Sequence, residues 1–268
     1  MKFSKHNLIF VFVFFFFSIS KAYILPLNTV LDKISKKTGA GSYEVNLEVT
    51  LQEGDLSPMT FNEIWIIEGA QKQRVTAQLS FVGSGPVSGS VDYYYEGNKR
   101  FFQKEGKLFS QKINDKYIMP LLFDSRSESL LERFKKLTVK NPGSIVRLGR
   151  WSGVPHLIYG EESKLWVEQD QNLIRKLDFS PQAWVQFNEY SEFRKSLHFP
   201  KQIQYSWEGG EARLQAIKVS SISVAQSKKL LNLNGLVQND LEKTENTNLE
   251  NSAPERMAQI KRFYSQFR

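Results

Sequence analysis

The sequence predicts a mainly β protein: one antiparallel sheet with a few amphipathic helices laid over one of its faces. Three observations carry that reading. Apolar and polar residues alternate with period two over many short runs, and hairpin-length turn signals separate most of those runs. Helical spacing occurs in only a few segments, and none interrupts the long second series of strands, as it would in a doubly wound sheet.

The first segment precedes the sheet. Lys2 and Lys5 stand before an apolar run from Leu8 to Phe17, and Ser20-Lys21-Ala22 follows as a small-x-small triplet. This is the pattern of a cleavable signal peptide over residues 1–22, since the apolar run is about half of the roughly 20 residues a bilayer span needs. A secreted mature chain beginning at Tyr23 is expected. The sequence contains no cysteine, so neither a disulfide nor a lipid-modified cysteine can form, and burial alone must hold the fold. The net charge is +8, and loss of Lys2, Lys5 and Lys21 leaves +5. The charges are scattered, which suits anionic headgroups or acidic partners and does not form a nucleic-acid stripe.

Residues 26–38 predict a helix with Leu27, Val30, Leu31 and Ile34 on one face, Pro26 at its start and Gly39 just past its end. "YEVNLEVTL" then alternates without a fault: Tyr43, Val45, Leu47, Val49 and Leu51 face one way and the polar residues the other. "MTFNEIWIIEG" brings Trp65 in a second strand, and "RVTAQLSFV" sets Val75, Ala77, Leu79 and Phe81 on one face of a third. Short aromatic strands follow the "GSGPVSGS" loop, with turns at Gly97-Asn98 and Glu105-Gly106. Residues 125–137 predict a second helix, opened by a capping box of Ser125 and Glu128 and carrying Leu130, Leu131, Phe134 and Leu137. "MPLLF" before it adds Leu122.

From Ile145 the strands come regularly, the clearest turn being Glu208-Gly209-Gly210-Glu211, up to Val224. A polar linker is expected over 225–251, where "NDLEKTENTNLEN" lacks aromatics. Residues 252–268 predict a basic amphipathic helix, with Met257, Ile260, Tyr264 and Phe267 on one face beside Arg256, Lys261, Arg262 and Arg268. Two readings of this helix stand open: it docks on the protein's own surface, or its apolar face enters a membrane interface or a partner groove.

Catalytic patterns are weak. His156 and His198 each stand alone in a strand, without a metal-spaced partner. Ser88 and Ser152 are loop serines outside any G-x-S-x-G, and Glu161-Glu162 reads as a solvated turn. No metal, cofactor or enzymatic activity is expected. A long sheet with one dry face and helices to cover it either encloses an apolar cavity or packs as an ordinary filled core.

The order of elements over residues 27–224 is similar to the outer-membrane lipoprotein-sorting family, the LolA/LolB-like periplasmic carriers. "FNEIWIIEGAQKQRV" resembles the family's second and third strands, where Arg74 opens the third. "YYYEGNKRFFQ" resembles its Gly turn and aromatic strand. "LWVEQDQNLIRKLDF", which includes Trp166, resembles the phrase of a Leu-Trp strand, polar turn and basic strand. "NEYSEFRKSLHFPKQIQY" and "WEGGEARLQAIKVSSISV" resemble its final strands.

The resemblance implies an incomplete, strongly curved antiparallel barrel whose concave side is closed by helices and receives acyl chains. It implies a non-catalytic carrier in the periplasm whose partner is a lipid or an acylated protein, with a membrane surface or membrane receptor as a further contact. The expected lining comprises the inward residues of the first three strands, Leu122, Leu130, Leu131 and Phe134 of the helical region, and Trp166. The family's Arg-Pro pair in the second strand is missing, so its helical latch does not carry over.

Processing gives the first prediction. The intact mass of protein recovered from the periplasm should correspond to a chain starting at Tyr23 with no acyl group; a retained leader in the membrane fraction would contradict it.

Overall fold

The strictest alternation in the sequence, residues 43–51, lies within the strand from which the sheet extends in both directions. The structure, a computed structural model, describes residues 24–39, 41–82, 86–104, 107–138, 146–232 and 254–267. The strands are β1 (Ser42–Glu53), β2 (Met59–Glu68), β3 (Lys72–Val82), β4 (Pro86–Glu96), β5 (Lys99–Lys104) and β6 (Lys107–Lys112). After the central helices come β7 (Val146–Trp151), β8 (Val154–Tyr159), β9 (Lys164–Glu168), β10 (Ile174–Ser180), β11 (Ala183–Phe193), β12 (Leu197–Trp207) and β13 (Gly210–Ile222).

All thirteen lie in one sheet, ordered β6-β5-β4-β3-β2-β1-β13-β12-β11-β10-β9-β8-β7, with β6 and β7 as its edges. The sheet is therefore open, and each neighbouring pair is antiparallel. β1 joins two meandering wings: Val45 faces Trp65 of β2 on one side and Val219 of β13 on the other.

The β1–β13 register slips between Asn46 and Leu47, where Ala216 and Lys218 are the partners and Ile217 is the extra residue. Such a bulge leaves one residue unpaired and bends the strand, and it turns Ile217 outward, where it is 66% exposed.

The chain leaves the sheet at one edge and re-enters at the other, so the connection must cross a face. It carries α2 (Met119–Phe123) and α3 (Ser127–Thr138), and Ile118, Met119, Leu122, Phe123, Leu130 and Phe134 are buried there. The turn into α3 is organised by Asp124 in place of the expected Ser125. Its buried carboxylate accepts from the Arg126 backbone N–H (3.2 Å) and from the Ser129 hydroxyl.

The N-terminal helix α1 (Leu27–Ser35) packs beside α3 with Leu27, Val30, Leu31 and Ile34 buried. Its end is fastened to β12, where the His198 backbone N–H donates to the Lys37 carbonyl (2.8 Å). Gly39 has φ +70°, and a Cβ there would stand 2.8 Å from Leu197 Cβ, so only glycine fits this close approach.

Residues 224–230, where a linker was expected to begin, form helix α4 (Val224–Leu230). Ser223 caps it by accepting from the Gln226 N–H (3.1 Å). Ser227 meets Ser42 at 3.1 Å and the Leu230 carbonyl receives Arg74 Nη1 at 3.5 Å, which holds α4 against the outer side of the sheet.

One apolar cluster fills the concave side and runs unbroken from α1 through the sheet to the C-terminal helix α5 (Pro254–Phe267). Leu214, opposite Val49 and Ile203 at its centre, is fully buried. Leu214→Ala should cost about 2–5 kcal/mol, because a buried cavity replaces packed methyls. In urea unfolding this should appear as a lower midpoint with an unchanged slope.

Candidate functional site: the concave face

Strand parity decides which side chains enter the concavity. On β1 the buried Tyr43, Val45, Leu47, Val49 and Leu51 all point inward, as do Trp65 on β2 and Val75, Ala77 and Leu79 on β3. The side chain of Phe81 lies outside the described residues. Leu122, Leu130 and Phe134 reach the same cluster fully buried, and Leu131 packs at its border.

Trp166 does not join them, which corrects the expectation from the Leu-Trp phrase. Leu165 and Val167 take the inward positions of β9, so Trp166 between them must face the other way. Its indole N–H donates to Asp178 Oδ2 (2.7 Å) on the outer surface, and Lys176 Nζ lies 5.8 Å from its ring centroid.

The apolar residues of the C-terminal helix are buried in the protein itself. Met257, Ile260, Tyr264 and Phe267 are each 5% exposed or less, and Phe263, which the sequence reading passed over, is fully buried. In this conformation none of them is presented to a membrane or a partner.

α5 lies between the two wings. Tyr264 stacks on Tyr93 of β4 (centroids 4.6 Å apart), while Phe263 and Phe267 pack on Tyr205 and Trp207 of β12 at 5.0–5.9 Å. Outside this contact, Arg262 and Glu53 form an ion pair at 2.5 Å. At the other end of the concavity Phe123 of α2 touches Tyr43 and Phe199, and Tyr117 stacks on Tyr95. Between α1, α2 and β10–β12 is a void of about 20 Å³, bordered by Ile34, Leu122, Ile174, Tyr190 and His198. It has room for about one water, against the hundreds of Å³ of a ligand pocket.

Polar groups are set into this apolar face. Glu63 is fully buried, accepting from the Trp65 indole N–H (2.7 Å) and from the Tyr264 hydroxyl. Arg100, 5% exposed, donates through Nη1 to the Tyr264 backbone carbonyl (2.6 Å), and its guanidinium lies 5.1 Å from the Tyr93 ring centroid. Gln73 is buried one rung along from Val75 and accepts from Tyr117.

Parity makes Glu63 legible in the sequence, because it stands at an inward position between Phe61 and Trp65. Arg100 became visible only through its pairing with Tyr95. Among the described residues, no group of three His, Asp or Glu side chains is placed to share a metal ion.

Burial pushes the Tyr93 hydroxyl up to about 12; Arg100 opposes that rise and Glu63 adds to it. The unfolded chain ionises this tyrosine near 10 while the folded state holds it neutral, so its contribution to stability is intact below pH 10 and is lost as pH rises toward 12. Melting temperature should fall over that window, and Tyr93→Phe should make the fall shallower. Equal slopes in the two proteins would remove Tyr93 as a cause.

No family model matches the sequence, and no curated protein matches it as a relative. Two solved structures share its architecture. The LolA superfamily protein from Nitrosomonas europaea is 9% identical, with a TM-score of 0.53 over 79% of this chain and 100% of that one. A structure described as an outer membrane lipoprotein-sorting protein domain, from Vibrio parahaemolyticus, is 8% identical, with a TM-score of 0.50 over 79% of this chain and 98% of that one. At this identity the likeness is one of fold: the chain is an open antiparallel half-barrel of the LolA type, with helices on its concave side.

Proposed function

We propose that this protein is a non-catalytic carrier in the bacterial periplasm that shields the acyl chains of a lipid or an acylated protein against its concave face. The observation that carries the reading is a continuous apolar surface on an open sheet, covered by helices and not by a second sheet. A second sheet would be a permanent half of the core. Helices held mainly by side-chain burial are covers of a kind that can be exchanged.

The magnitudes allow such an exchange. An acyl chain of about fifteen methylenes contributes roughly 12 kcal/mol when buried, at about 0.8 kcal/mol each. Burying Met257, Ile260, Phe263, Tyr264 and Phe267 contributes roughly 7–15 kcal/mol at about 1.5–3 kcal/mol per side chain. The two are of the same order, so a lipid can compete with α5 for this surface. In this reading Val45, Leu47, Val49, Trp65, Val75, Ala77 and Leu79 form the bed for the chains.

A second reading is a structural or partner-binding envelope protein whose core is permanently filled, and the small void between α1 and β12 favours it. The two readings part in what the purified protein contains. Mass spectrometry of organic extracts from gently purified protein should find acylated lipid near molar equivalence. Leu79→Asp should abolish that lipid, with a circular-dichroism melt run beside it because an unpaired buried charge is costly. Extracts free of lipid, together with no uptake of a fluorescent fatty acid, would leave only the filled-core reading.

A further inference from the structure

One end of the sheet carries a row of charges on its convex side. Strand pairing sets Glu68 of β2 opposite Lys72 of β3, Lys72 opposite Glu96 of β4, Glu96 opposite Lys99 of β5, and Lys99 opposite Lys112 of β6. The sign alternates from strand to strand as far as Lys99 and fails at the edge, where two lysines stand side by side. Glu96 is committed to Lys72, with Oε1 3.0 Å from Nζ. Neither Lys99 nor Lys112 has an ion-pair partner among the described residues. Like charges directly opposite one another destabilise a sheet, so a negative charge brought beside this pair would relieve it. A cleft of about 160 Å³ lies at the same place, lined by Asn98, Lys99, Ser110, Gln111 and Lys112. That is room for a carboxylate and not only for a water, whose share of liquid volume is about 30 Å³.

The backbone beside the cleft is open as well. β6 is an edge of the sheet, and all six of its residues are exposed. The Ile113 N–H donates to the Asn98 carbonyl (3.0 Å), and hydrogen-bonded pairs alternate along an antiparallel ladder. Counting back from that pair, Gln111, Phe109 and Lys107 turn their backbone groups to β5, whereas Leu108, Ser110 and Lys112 turn theirs to the free edge. Leu108 and Phe109 add exposed apolar side chains, one on each face. Such an edge is a template for another strand, and charge decides which one. A second β6 laid antiparallel sets Lys107 against Lys112 at both ends, and the opposite edge, β7, brings Arg147 and Arg150. Both pairings set positive against positive.

We propose that β6 is a docking edge for a partner protein, which adds an extended segment antiparallel to it with acidic residues opposite Lys112 and Lys107 and apolar residues opposite Phe109 and Leu108. The carboxylate opposite Lys112 enters the cleft and restores the alternation of the rung. Main-chain bonds to Leu108, Ser110 and Lys112 supply affinity, and the charged ends supply specificity. The docking is independent of what the concave face holds.

The test uses the full-length protein and fluorescein-labelled peptides, Glu-Thr-Thr-Val-Val-Glu and Lys-Thr-Thr-Val-Val-Lys, read by anisotropy. The acidic peptide should bind at least about tenfold more tightly than the lysine peptide, and added salt should weaken it. Ser110→Pro removes an N–H that faces the free edge and leaves the bonds to β5 in place, so its melt should match the parent while affinity falls at least about fivefold. Lys112→Glu should lose about fivefold for the acidic peptide, and Lys-Thr-Thr-Val-Val-Glu, whose first residue stands opposite position 112, should restore it. That exchange decides the matter even where the proline variant fails to fold.

Equal binding of the acidic and lysine peptides, equal binding by the parent and a folded Ser110→Pro, or an exchange that restores nothing would each overturn the proposal. So would absence of acidic-peptide binding at millimolar concentration. Sedimentation showing a dimer that Lys112→Glu changes would give the edge to a second copy instead. Loss of binding to phosphatidylglycerol vesicles in Lys112→Glu, with no peptide bound by the parent, would give the lysines to a membrane surface; either result overturns the partner-strand assignment.

Discussion

Everything in this molecule depends on the pairing of β1 with β13. Those strands belong to opposite ends of the folded region, and their ladder runs from Ser42–Ile222 to Glu53–Gly210. It turns two separate meanders into one surface and places the sheet's edges at β6 and β7, far from each other in strand order. The connection from β6 to β7 is then forced across a face, and α2 and α3 travel with it. The concavity and its cover are one consequence of a single strand pairing.

That cover is assembled from three parts of the chain. α1 is tied to β12 through Lys37 and Gly39, α2 and α3 are carried by the crossing segment, and α5 arrives from the C-terminus. α2 and α3 run between β6 and β7, and α1 leads directly into β1. α5 is held on the sheet by ring stacking, by hydrogen bonds from Arg100 and Asn114 to its backbone and from Tyr264 to Glu63, and by the Arg262–Glu53 pair at the surface.

Much of the sheet was legible because period-two alternation is a direct record of one wet and one dry face; β1 keeps it without error over residues 43–51, while β2 and β3 break it where Glu63 and Gln73 take inward positions and Ile64 and Ile66 outward ones. The helices at 27–35, 127–138 and 254–267 were legible from their apolar stripes. What escaped has physical reasons. Trp166 is as apolar as its neighbours, so composition pointed inward while parity pointed outward. Ile217 breaks phase because a bulge is invisible to a fixed period. Helix α4 is short and polar, and its contacts with Ser42 and Arg74 are made across the chain. The path of α5 into the concavity could not be read from an amphipathic stripe, which says that one face is buried and not against what. Arg100 escaped because its inward position follows from its pairing with Tyr95 and not from any alternation around it.

The same central ladder bears on how the chain reaches its native state. Ser42 and Ile222 stand 180 positions apart, and they cannot meet until nearly the whole folded region has been synthesised. Long-range pairing of this kind gives high contact order and slow folding, since the entropy of closing a large loop is lost before contacts repay it. A half-finished chain has β1 as an unpaired edge and little to lock it in place. Such a polypeptide stays open to chaperones and unfolded for longer than a helical bundle of equal size, which is the condition a chain needs in order to be threaded through a narrow channel before it folds.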